Sequence, residues 1–169
     1  MEEYREQFEN IYEEQNDAIY RFCLYKTSNT DQAEDLMQEA FVRLWNSMLT
    51  GKEILNMKAF LYQIARNLIT DFYRKKKTTS LDQLQNQGFE ASSDDHEQIE
   101  NRIEIEFMVK IIEKLDQKYR DVVYLKLVEE MNIEEIAQSL EITRNNVTVR
   151  YHRGMKHLKS LIKNKEISN

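Results

Sequence analysis

Proline is absent from this 169-residue sequence, glycine occurs three times and cysteine once. Tight hairpins draw on proline and glycine for their turns, so their scarcity favours helices joined by polar loops. The fold class expected is all-α. The single cysteine, Cys23, cannot form a disulfide within the chain. No apolar run approaches the roughly 18 residues that span a bilayer. Met1 to Asn10 is polar and acidic, unlike a secretory signal. A cytoplasmic protein without direct membrane insertion is therefore expected. His96, His152 and His157 lack metal-ligand spacing, and no glycine-rich phosphate loop is present. These absences point away from an enzyme and imply neither a metal nor a cofactor.

The charge that is present is unevenly spread. A net of −6 argues against nucleic acid at first sight. Met1 to Lys77 carries thirteen acids and eleven bases, a net of −2. Thr78 to Glu100 has six acids and no base, and Asn101 to Asn169 has eleven acids against thirteen bases, a net of +2. Within that last part, Ile142 to Lys165 holds Arg144, Arg150, Arg153, Lys156, Lys159, Lys163 and Lys165 with no acid. A phosphate feels the local field rather than the average, so the C-terminal stretch is the nucleic-acid candidate.

Apolar periodicity predicts three helices in the first part. About Glu3 to Tyr25 carries Phe8, Ile11, Tyr12, Ile19, Phe22 and Cys23 at three- and four-residue steps. Asn29-Thr30-Asp31 marks a break, with Asp31 and Glu34 in capping-box spacing. The next helix has an unbroken stripe of Ala33, Leu36, Met37, Ala40, Phe41, Leu44, Trp45 and Met48. Trp45 belongs with the core by its place there. A third, about Asn56 to Lys76, is expected to bury Phe60, Leu61, Ile64, Ala65, Leu68 and Phe72, leaving Tyr62 and Tyr73 on its surface. Thr78 to Glu100 lacks a sustained period and reads as a flexible acidic linker. Its 23 residues could extend to roughly 75 Å, against about 26 Å for a coil. Two small helical domains follow, residues 1–77 and 101–169, joined by 78–100. The second has helices expected at about Ile99–Leu115, Lys118–Val128, Ile133–Leu140 and Arg144–Asn164.

Ile133 to Leu158 has helix-turn-helix arithmetic. Ile136, Ala137 and Leu140 face inward from the first helix, Ile142 plugs the turn and Val147 seats the second. Asn132 with Glu135 caps the first helix and Thr143 the second. Glu141 stands where such turns usually carry glycine, and a left-handed non-glycine residue costs on the order of 1 kcal/mol. Thr143, Arg144, Asn145, Asn146, Thr148, Arg150, His152 and Arg153 then lie where a recognition helix reaches base edges. Arginine pairs with guanine and asparagine with adenine in the major groove. Later cations such as Lys156 suit phosphates. An ordinary helical hairpin with a solvated basic face is the alternative.

Ala33 to Trp45 (AEDLMQEAFVRLW) resembles the second conserved region of extracytoplasmic-function (ECF) sigma factors, and Ala59 to Arg74 (AFLYQIARNLITDFYR) resembles their promoter-opening helix. Tyr119 to Val123, Glu134 to Ala137 and Val147 to Leu158 resemble their C-terminal DNA-reading domain. The departures are Asp116 where proline often follows leucine, Glu141 for glycine, and Asn145-Asn146 in the recognition helix. The resemblance implies a transcription initiation factor whose partners are core RNA polymerase, promoter DNA and, at the family level, an anti-sigma factor. It implies that Glu34, Asp35, Gln38 and Glu39 dock on polymerase, where a merely solvated helix face is the alternative. Lys52, Asn56, Tyr62, Arg66, Asn67, Tyr73, Arg74 and Lys75 would meet the start-proximal promoter element, since opened strands need aromatic platforms and cations. In the family, the segment matching Leu49 to Asn56 captures a flipped base. The linker threads into polymerase channels there; its six acids suit a polyanion mimic and an ordinary solvated linker equally.

Two other classes compete. A free-standing helix-turn-helix regulator explains Ile133 to Leu158 but leaves the two N-terminal blocks unexplained. A sigma-like adaptor or antagonist would hold polymerase without opening DNA, and retention of Tyr62, Arg66 and the Arg74 to Lys77 run argues against it.

Overall fold

The computed structural model describes residues 2–79 and 96–167, with side chains for 2–77 and 104–164. Among the described residues seven helices run in order: α1 Glu2–Thr27, α2 Thr30–Leu49, α3 Met57–Thr79, α4 His96–Ile112, α5 Gln117–Leu127, α6 Ile133–Leu140 and α7 Arg144–Ile167. The described residues contain no strand. The chain divides into two compact units, one around α1–α3 and the other around α4–α7. Residues 80–95, most of the expected linker, lie outside the described residues. Its two ends are helical, since α3 runs to Thr79 and α4 begins at His96.

The α1–α2 corner is cut by Ser28, which adopts φ +52. The start of α2 differs from the expected Asp31–Glu34 box. Asn29 is the N-cap, its side chain accepting the Gln32 N–H at 2.9 Å. Asparagine two residues earlier satisfies an orphan donor of the first turn, and Glu34 is not needed for a box and faces outward. Most of the expected α2 stripe is in the core: Ala33, Leu36, Ala40, Phe41, Leu44 and Met48 are buried against α1 and α3, and Met37 is half-buried at its edge. Trp45 is half-buried at the edge of an aromatic cluster, 5.1 Å from the Phe8 ring.

The inward face of α3 is rotated from expectation. Leu61, Tyr62, Ala65, Leu68 and Ile69 are buried, while Phe60, Ile64 and Phe72 are only half-buried. Both apolar sets satisfy helical spacing, and the tyrosine ring competes successfully for the core because its apolar body is large. Tyr62 is 1% exposed with its ring 5.4 Å from Phe22. It is a core residue here, not the surface platform expected from the sequence.

Cys23 is fully buried in α1, and desolvation pushes its thiol up from 9.0 to about 12. The native form is therefore the neutral thiol. Below pH 9 both states are neutral and nothing is lost; as pH rises from 9 towards 12 only the unfolded thiol ionises, which favours unfolding. We expect iodoacetamide to leave the native chain unlabelled at pH 8 and to label it once urea unfolds the α1–α3 unit. Rapid native labelling would contradict this burial.

In the second unit α7 packs along α5. Gly154 sits at that crossing, where an added Cβ would lie 2.6 Å from Val123 Cγ2 and 3.2 Å from Tyr119 Cβ. Only hydrogen in place of a side chain permits this approach. After α5 the backbone turns through Glu130 at φ +53. Beside it, the 5%-exposed Glu129 carboxylate accepts the Tyr124 hydroxyl at 2.9 Å. Asp116, which precedes α5, has φ −56 and makes no side-chain cap bond. That angle is one proline would impose, so aspartate stands here without bending the backbone away from it.

Candidate nucleic-acid and polymerase interfaces

The turn from α6 to α7 is built as its sequence requires. Asn132 and Glu135 close a reciprocal capping box, with Glu135 N–H donating to Asn132 Oδ1 and Asn132 N–H to Glu135 Oε2, both at 2.9 Å. Ile136, Ala137 and Leu140 are buried and Ile142 is half-buried in the turn. Glu141 takes φ +55, so the glycine position of the motif is filled by a left-handed glutamate. Thr143 Oγ1 accepts the Asn146 N–H at 3.1 Å and starts α7. Val147 is buried at 1% exposure and anchors the helix from beneath.

At about 100° per residue, the line of Val147, Gly154 and Leu158 fixes which face of α7 points away from its own core. Asn145, Asn146, His152, Arg153 and Lys156 share that outer face and are exposed. Two of the expected contact residues are engaged elsewhere, and a third is partly covered. Arg144 places Nη1 3.0 Å from Glu134 Oε1, an exposed pair joining the first turns of α7 and α6. The Thr148 hydroxyl donates back to the Arg144 carbonyl at 3.0 Å. Arg150 lies half-buried on the flank towards the core line. Exposed pairs of this kind stabilise little, so Arg144 can leave Glu134 for a stronger acceptor.

On the first unit, Glu34, Asp35, Gln38 and Glu39 are all exposed along α2. Gln38 Nε2 donates to Glu34 Oε1 at 3.3 Å, and Arg43 Nε pairs with Glu39 Oε1 at 2.7 Å. Among these polar groups Val42 is 52% exposed, one helical turn beyond Gln38 and Glu39. The α2–α3 loop turns at Gly51, which needs its φ of +72. Asn56 caps α3, accepting the Ala59 N–H at 2.8 Å. Lys52 Nζ lies 4.3 Å over the Phe60 ring. A shallow cavity opens beside this loop, lined by Tyr4 and Gln7 of α1 with Met48, Lys52, Ile54 and Met57. Farther along α3, Arg66 Nη2 donates to Asn67 Oδ1 at 2.8 Å and Arg74 Nη2 pairs with Asp71 at 3.1 Å. The Tyr73 hydroxyl donates to the Lys26 carbonyl at 2.6 Å, tying α3 to the end of α1, while 44% of the residue stays exposed. Partial burial raises the Tyr73 hydroxyl above its ordinary pKa. Lys75 is exposed.

The family profile Sigma-70 region 2 matches residues 11–79, and Sigma-70, region 4 matches 108–158. The ECF RNA polymerase sigma factor SigW of Bacillus subtilis is 30% identical over 166 residues, covering 92% of this chain and 89% of its own. SigM of the same organism is 30% identical over 156 residues, covering 90% and 93%. The chain belongs to the ECF RNA polymerase sigma factors. Among solved structures, the sigma factor RpoE of Bartonella quintana, in complex with the anti-sigma factor NepR, matches with a TM-score of 0.66 at 20% identity. That match covers 93% of this chain and 97% of that one. CnrH in complex with the cytosolic domain of CnrY matches at 0.65 and 20%, covering 94% and 89%. Both are similar to this sigma factor in fold.

The two regions named by the profiles fall on the two units, α1–α3 and α4–α7. Within this sigma factor the expected start-proximal set is only partly a surface. Arg66, Asn67, Tyr73, Arg74 and Lys75 lie along α3 with at least part of each side chain accessible, whereas Tyr62 is in the core and Asn56 is spent on the α3 cap. Sequence reasoning missed Val42 on the acidic face. The signal was present: Val42 is an apolar residue lying off the α2 stripe. It also missed Gly154, one of three glycines and placed inside a helix, where glycine has a cost that only packing explains.

Proposed function

We propose that the α4–α7 unit of this sigma factor reads the upstream promoter element with the outer face of α7. The α1–α3 unit docks on core polymerase through α2 and holds the opened start-proximal element along α3. Binding core RNA polymerase and directing it to promoters is what membership of the family entails. The residue roles and the 1–77, 78–100 and 101–169 division are the reading offered here. The observation that carries it is the Thr143-capped helix α7, whose outer face away from the core is acid-free and amide-rich.

Asn145 and Asn146 open that face and suit adenine; Arg153 follows two turns later and suits guanine. Thr143, as the cap, sits beside the phosphate side of the groove. Lys156 is farther from the turn and suits a phosphate. Arg144 begins on Glu134 and would exchange that carboxylate for a base edge or phosphate on docking. On α3, Tyr73 offers the exposed ring, and Arg66, Asn67, Arg74 and Lys75 offer hydrogen bonds and charge to an unwound strand. The cavity beside the α2–α3 loop supports a role for that loop in receiving an extruded base, with Lys52 at its margin. An anti-sigma partner is part of the reading, since a sigma factor of similar fold is held by an anti-sigma factor.

Holoenzyme binding to promoters that differ only upstream tests the assignment. Asn145→Ala should change which upstream sequences are bound, by about 1–3 kcal/mol at the base pair it reads. Lys156→Ala should weaken all of them alike and lower the salt slope by about 1. Equal losses on every sequence for Asn145→Ala would remove its base-reading role, and a sequence-dependent loss for Lys156→Ala would remove the phosphate assignment.

A further inference from the structure

One residue on α7 fits neither the core nor the polar character of the face it occupies. Val149 lies roughly 160–180° around the helix from Val147 and Leu158, the buried anchors of α7. It stands one turn after Asn145 and one turn before Arg153, both exposed, and is itself half-buried among such neighbours. A β-branched residue is a poorer helix former than leucine, glutamine or lysine, and Val149 is not among the fully buried core residues. Single apolar side chains on a surface are ordinary. Val149 differs in its place, midway along the amide and cationic face that would enter the groove.

The chemistry around it is complementary. Amides and guanidinium groups read donors and acceptors, but they do not sense the C5-methyl of thymine. That methyl is read by apolar contact in the major groove. We propose that Val149 is a specificity-determining residue that packs against a thymine methyl in the upstream element, between the bases met by Asn145 and Arg153. The inference rests on the base-reading role of α7 proposed above. Its two methyls are held by a stiff χ1, so the contact is preset before DNA arrives.

The test uses holoenzyme formed from core polymerase and the full chain, with the best-transcribed promoters. Each thymine of the upstream element, on both strands, is replaced in turn by deoxyuridine, which removes only the methyl. One position should lose about four-fold in affinity, the size expected for one buried methyl. Val149→Ala should show a similar loss on thymine and no further loss on deoxyuridine at that position, with unchanged urea stability. Two outcomes overturn the inference: no thymine position sensitive to the methyl, or a methyl effect that survives in Val149→Ala. Asn145→Ala on the same templates separates the two readings. Sequence-dependent loss there, with no Val149 effect, removes only the thymine contact; uniform loss removes base reading by α7 and the inference with it.

Discussion

Gly154→Ala should destabilise the α4–α7 unit by about 1–2 kcal/mol, although alanine is the better helix former by about 1 kcal/mol. The added Cβ would lie 2.6 Å from Val123 Cγ2 and 3.2 Å from Tyr119 Cβ. Neither neighbour can yield easily. Val123 is fully buried with a stiff β-branched side chain, and the Tyr119 Cβ moves only with the α5 backbone. Relief therefore requires α5 and α7 to separate, and that crossing supports the recognition helix. Far-UV circular dichroism through a urea titration measures the loss. The single tryptophan, Trp45, lies in α2 and reports the other unit, so its fluorescence transition should stay where it was. Adding Val123→Ala removes the nearer clash and should recover part of the stability. Gly154→Ala with unchanged or raised stability would show that α7 does not depend on this close approach.

Reversing charge on α2 is the second large effect. On the proposed docking role of α2, Glu39→Lys should lower affinity for core polymerase on the order of ten-fold or more, because charge reversal on an acidic face that suits a basic surface turns attraction into repulsion. The substitution also breaks the exposed Glu39–Arg43 pair and places two cations at i,i+4 on one helix. That local effect is worth only a few tenths of a kcal/mol. Combining Glu39→Lys with Arg43→Glu restores an intrahelical pair. Continued weak binding in the double variant locates the loss at the polymerase surface, and full recovery would assign it to the helix itself. Val42→Asp complements this test by charging the exposed apolar centre of the same face, and should weaken docking without the i,i+4 conflict.

The parts legible in the sequence are those governed by local rules. The α2 stripe, the Asn132–Glu135 box, the Thr143 cap and the left-handed Glu141 all follow from spacing within one or two turns, and the structure has each of them. The α6 bounds coincide with those expected. What the sequence left ambiguous depends on which helix faces which. Phe60 and Ile64 fit the period of α3 as well as Tyr62 and Ile69 do, and only packing against α1 selects the second set. Asn29 and Asp31 are both acceptable caps, and the extended backbone of Asn29, at φ −144 and ψ 124, places the cap there. Arg144 reads as a base contact from its type and position. Its partner Glu134 becomes visible only when the turn brings the starts of α6 and α7 together.

Run-off transcription with core polymerase, with and without this protein, on a library of linear promoters tests the central claim most directly. Transcripts should appear from a subset of templates only when the protein is present, and their upstream sequences should share one element and their start-proximal sequences another. Tight polymerase binding without transcripts would contradict promoter opening and indicate an adaptor. Specific duplex binding without any affinity for core polymerase would contradict the account entirely and leave a free helix-turn-helix regulator.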